Sequence, residues 1–123
     1  MSGFLLDTYC VSELVRVRPE PRVLEWMQAA DEALLYLSVL TLGEIRKGVA
    51  RLVHSKRRTQ LGTWLEVELH ICFAGRVLPI DVGVTDRWGW LAATALHHNL
   101  TVVSRNASDF AGAQVPVVNP WEA

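Results

Sequence analysis

Three acidic residues, Asp7, Glu44 and Asp109, stand where strand-like apolar runs give out. Asp7 closes Phe4-Leu5-Leu6. Glu44 lies on the helix entered from Leu35-Tyr36-Leu37-Ser38-Val39. Asp109 follows Leu100–Val103 across the polar turn Ser104-Arg105-Asn106. In an open parallel sheet the functional crevice lies beyond the C-terminal strand ends, so these acids are expected to converge on one rim. Two carboxylates about 4 Å apart repel by roughly 4 kcal/mol at an effective dielectric of about 20, so such a cluster needs compensation. A hard divalent cation supplies it, and Mg²⁺ is commonly held by one or two carboxylates plus waters. A metal so placed activates water and steadies a phosphodiester under attack, so metal-assisted phosphodiester hydrolysis is the chemistry implied. Taken singly, each acid reads as a turn or cap residue. Thr8, Ser104 and Asn106 are the polar residues beside these acids in the sequence.

The elements that must position them alternate between strand and helix. After the first strand a helix is expected from about Val11 to Arg16, stopped before Pro19 and Pro21. Pro21 opens the next, with Val23, Leu24, Met27 and Ala30 on one side. Thr41 reads as the cap of a third helix, with Glu44 completing a capping box and Ile45, Val49, Leu52 and Val53 facing inward. A helix from about Lys56 to Ile71 packs Leu61, Trp64, Leu65 and Leu69. Val77–Ile80 is a short extended piece, Asp81 an N-cap, and Val82–His98 a helix before the strand at Leu100–Val103. Val115–Val118 is the last extended piece, and Pro116 argues for an edge position. This order predicts an α/β sandwich with a mainly parallel sheet.

A chain of 123 residues fits one domain and can bury a core without disulfides. Half of it is hydrophobic and the formal net charge is −1, which excludes disorder and any global attraction to nucleic acid. Cys10 and Cys72 lack metal-site spacing and read as buried thiols of a reducing cytoplasm. The N-terminus lacks a basic stretch, and Asp7 interrupts its apolar run, so no signal peptide is expected. The longest apolar run, Ala33–Leu42, is too short to span a bilayer. Arg46, Lys47 and Arg51, with Lys56, Arg57 and Arg58, are candidates for phosphate contact, although a solvated helix face accounts for most of them. Adjacent His97 and His98 point about 100° apart on a helix, poor geometry for chelation. Val15, Val17, Leu24 and Met27 mark a candidate partner groove.

"FLLDTYCVSEL", "SVLTLGEIRKGV" and "LAATALHHNLTVVSRNASDF", with the closing "VPVVNPWE", resemble the PIN-domain family, and in particular its VapC-type toxins. The resemblance runs in order along nearly the whole chain. It implies a PIN-like three-layer sandwich with a central sheet flanked by helices, spanning residues 1–123. It also implies a Mg²⁺- or Mn²⁺-dependent endoribonuclease, usually dimeric, held inactive by a cognate antitoxin that inserts a segment into the active cleft. Asp7, Glu44 and Asp109 match the family's acids. Arg105 falls in the turn beside them, where contact with a phosphate and simple solvent exposure are both open.

One acid of the pattern is missing. The family places a further Asp at the start of the "LAATA" helix, and Trp88 occupies that position. "RWG", Arg87-Trp88-Gly89, resembles a motif of the preceding helix, as though a loop between the two had been removed near Gly89-Trp90. Asp86 is the nearest replacement as a metal ligand. It lies two positions back, about 200° around a helix and about 3 Å along it, so it serves only if the helix turns or unwinds. An impaired protein that binds antitoxin or dimerises without cleaving RNA is the alternative.

Overall fold

Leu5 and Leu6 in strand β1 (Phe4–Leu6) are both fully buried, yet they belong to different cores. Successive strand side chains point to opposite faces, so two buried neighbours require cover on both sides of a sheet. Val102 and Val103 of β4 (Thr101–Val103) divide in the same way. The three layers follow from that pattern.

The computed structural model describes residues 3–79 and 87–122, with the side chains of 87–90 and 111–112 left outside the description. Its described strands form one sheet in the order β3-β2-β1-β4-β5, and every pairing is parallel. β2 is Leu35–Ser38, β3 Val77–Leu78 and β5 Val117–Val118. β5 lies on the edge beside β4, as Pro116 predicts, and the Pro116 carbonyl accepts from the Val102 amide at 2.9 Å. One face is covered by α1 (Thr8–Ser12), α2 (Pro21–Ala29), α3 (Val39–Ala50) and a long helix made of α4 (Lys56–Thr63), a π turn over Trp64–Glu68 and α5 (Leu69–Cys72). Its core includes Val11, Val23, Ile45, Leu65, Leu69 and Phe73. The other face is covered by α6 (Arg87–His97) and a 3₁₀ helix (Ala107–Ala113), through Leu91, Ala92, Ala95 and Phe110.

Several expectations shift. The first helix begins at Thr8 rather than Val11, because Asp7 itself accepts the Thr8 amide, and Glu13–Val15 tightens into a 3₁₀ turn. Ser38, not Thr41, caps α3, accepting the Leu40 amide at 3.1 Å. Thr41 is instead buried inside the helix, and Glu44 sits in its second turn with no capping duty. α3 ends at Ala50, which leaves Leu52 and Val53 exposed rather than inward. Cys10 is buried but Cys72 is exposed. Asp81, Val82 and Asp86 lie outside the described residues.

Candidate active site

The sheet order reverses at β1: chain progress runs outward through β2 and β3, then returns to place β4 on the other side. A reversal of this kind opens a crevice between the two diverging connections. Asp7 leaves β1 at that point and Ser104 leaves β4 beside it.

Asp7 is fully buried, and each carboxylate oxygen is engaged. Oδ1 accepts from the Thr8 amide at 2.7 Å, and Oδ2 accepts from Ser104 Oγ at 2.9 Å. The Asp7 amide donates to the Val103 carbonyl at 2.9 Å, while its carbonyl receives the Cys10 and Val11 amides. The residue therefore ends a strand and starts a helix with its backbone while holding its carboxylate still. Ser104, also fully buried, accepts from the Asn106 amide at 3.0 Å, so its hydroxyl has one orientation left, toward Asp7.

Glu44 arrives from α3, which packs on α1. Thr8 Oγ1 donates to Glu44 Oε1 at 2.7 Å, a charge-assisted bond, while Thr41 Oγ1 lies 3.4 Å from the same hydroxyl, beyond the usual range of a hydroxyl bond. Thr8 thus binds Asp7 through its amide and Glu44 through its side chain, bringing the two acids to one junction. Their carboxylate oxygens are the donor class that suits a hard divalent cation.

Asp109 is placed differently. Its amide caps back onto the Asn106 carbonyl at 3.0 Å and its side chain is exposed on the 3₁₀ helix. Among the described residues, no group of three or more His, Cys, Asp or Glu side chains is placed to hold a metal ion. Asn106 serves through its backbone, donating to Ser104 and accepting from Asp109.

The surroundings are apolar. Cys10, one turn past Asp7, has its thiol pushed up to about 12 by burial, with the carboxylates of Asp7 and Glu13 adding to the effect. Beside the acids a hollow of about 280 Å³ is lined by Thr8, Glu44, Arg16, Gly48, Leu52 and Trp64. Val15 lines it too, whereas Leu24 and Met27 line a second hollow of about 320 Å³, and Val17 is 83% exposed outside both. The anticipated groove is therefore two hollows. Half of the basic cluster is committed: Arg46 pairs with Glu66 at 2.9 Å, Arg57 donates to the Val15 carbonyl, and Arg58 faces His54. Glu13 escaped sequence reasoning. It is 3% exposed and accepts from the Arg16 guanidinium and the Glu20 amide, fixing the turn between α1 and α2. A single glutamate on a short helix gives no signal of that role.

No protein-family model matches the chain. Toxin FitB of Neisseria gonorrhoeae is 37% identical over an alignment covering 95% of this chain and 97% of that protein. VapC ribonuclease Y4jK of Sinorhizobium fredii is 36% identical, with 96% and 97% covered. These alignments extend over 135 and 136 residues, more than the 123 of this chain, so both open gaps in it. The crystal structure of FitAcB from Neisseria gonorrhoeae superposes with a TM-score of 0.90 at 36% identity, covering 98% of this chain and 99% of that one. Among the described residues no helix is long and apolar enough to cross a membrane.

Proposed function

This chain belongs to the VapC-type toxins of the PIN-domain family, and on that premise we propose that it is the toxin half of a toxin–antitoxin pair, an endoribonuclease hydrolysing RNA phosphodiester bonds. Asp7, Glu44 and Asp109 hold a Mg²⁺ or Mn²⁺ ion in this reading. The observation that carries it is the junction of Asp7, Thr8, Glu44 and Ser104 at the sheet's point of reversal.

When bound, the ion supplies Lewis-acid charge and a more acidic water. The chain's own part is to keep the acids fixed. Ser104 and the Thr8 amide hold the Asp7 carboxylate in one orientation, and the Thr8 hydroxyl does the same for Glu44. Asp109 enters from the 3₁₀ helix, and Asp86 is a further ligand where the start of α6 allows. The cognate antitoxin places a segment in the hollow lined by Thr8, Glu44 and Trp64. The protein works as a homodimer in the cytoplasm.

The test is cleavage of a structured RNA by antitoxin-free protein in Mg²⁺, in Mn²⁺ and in a chelator, beside Asp7→Asn and Glu44→Gln. Cleavage is expected only with metal, and falls at least about 10²-fold in either variant, the scale of a loss from misplaced catalytic groups. Cleavage indifferent to metal or to Asp7 overturns the assignment.

A second reading rests on its own observation: no three candidate ligands are gathered for a metal among the described residues. With Trp88 at the family's acid position and the shortening placed near Gly89-Trp90, the chain is then an impaired PIN-like protein. It captures antitoxin or dimerises without cutting RNA. Antitoxin binding at full affinity with no cleavage in either metal selects it.

A further inference from the structure

The turn that delivers Ser104 also delivers Arg105, whose guanidinium carbon lies 5.2 Å from the centre of the Tyr9 ring and 5.3 Å from that of Trp121. Both contacts grow from the site. Tyr9 is two residues beyond Asp7, and Arg105 directly follows the serine that binds it. The closing segment completes the arrangement: Asn119 Nδ2 donates to the Arg105 carbonyl at 3.2 Å, and its Oδ1 accepts the Trp121 amide at 2.9 Å. One asparagine thus ties the arginine to its second ring.

A guanidinium packed over rings has its face covered while the five N–H donors in its plane still point outward. No hydrogen bond or ion pair engages those donors among the described residues. Arg46, Arg57 and Arg58, by contrast, are spent on Glu66, the Val15 carbonyl and His54. A rim of carboxylates repels a polyanionic substrate, so a fixed cation at its edge is needed to hold the strand there. We propose that Arg105, held by Tyr9 and Trp121, is the residue that grips an RNA phosphate beside the acid junction. It is a positioning residue, and this role rests on the nuclease reading for the identity of its ligand.

The experiment measures binding of a short fluorescent single-stranded RNA by antitoxin-free protein in chelator, so that cleavage cannot intrude, over a series of salt concentrations. Thermal melts confirm that the variants fold. Arg105→Ala is expected to weaken binding roughly tenfold, the scale of one charged hydrogen-bonded contact. It also flattens the log–log salt slope by about 0.7, the value for one phosphate contact on a single strand. Arg105→Lys keeps the charge and loses the planar fork, so it retains the slope but binds several-fold more weakly.

Unchanged affinity and slope in Arg105→Ala overturn the proposal, as does a wild type that binds no RNA. It also fails if Arg105→Ala loses the antitoxin while RNA binding is untouched, because the cation then serves a protein partner. The two readings fail separately. If cleavage is absent but the Arg105-dependent RNA affinity remains, the nuclease assignment falls and the phosphate contact stands. If cleavage needs Asp7 while Arg105→Ala keeps its KM, only the phosphate contact falls.

Discussion

At the scale of single residues, Ser104 shows how little a site needs beyond correct partners. Its hydroxyl accepts from the Asn106 amide and donates to a fully buried Asp7 oxygen, so it has no alternative rotamer of equal satisfaction. Ser104→Ala leaves that oxygen short of a donor, and the loss of stability is expected to be about 1–3 kcal/mol. Urea denaturation reads it as a lower midpoint with the same slope, and cleavage falls with it because Oδ2 of Asp7 loses its serine anchor. An unchanged midpoint means that water replaces the hydroxyl. Asp7 was conspicuous in the sequence because an acid directly after a short apolar run stands out. The Thr8 hydroxyl on Glu44 was not, since it depends on how α1 packs on α3. The rings around Arg105 were equally hidden, because they come from opposite ends of the chain.

At the scale of elements, the misplaced helix starts share one cause: neighbouring hydroxyls and acids compete for the same amides. Ser38 and Thr41 are both good caps, and the strand's end selects the nearer, which frees Glu44 to face α1. Asp7 reads as a strand terminator, yet it also accepts the first helical amide and so begins α1 three residues early. The order of strands and helices and the edge place of β5 were readable, because Pro116 and the apolar runs leave few alternatives. Close approach between strands was not. Gly3 precedes β1, and a Cβ there would lie 2.6 Å from the Leu34 carbonyl oxygen and 2.8 Å from the Tyr36 ring. Backbone cannot yield as a side chain does. Gly3→Ala is therefore expected to cost about 1–3 kcal/mol, like other overpacked positions. Thermal melting checks it, and a variant as stable as the parent would mean that β1 and β2 can separate locally without penalty.

At the scale of the whole molecule, the first strand is the central one. β1 pairs on one side with β2 and on the other with β4, Leu5 opposite Val102 and Leu6 opposite Val103. Pairings so distant in sequence close late, because loop entropy is lost before contacts return it. A chain ending at Asn99 is expected to lack cooperative unfolding and near-ultraviolet circular dichroism, and a sharp melting transition in that fragment would refute the expectation. The bond from Ser104 to Asp7 spans 97 residues. A nascent chain whose Ser104 has not yet emerged from the ribosome therefore has its first acid made but lacks the serine that binds it. The two banks of the crevice meet only once β4 has been made, so on the nuclease reading proposed above the site stays incomplete until that strand joins β1.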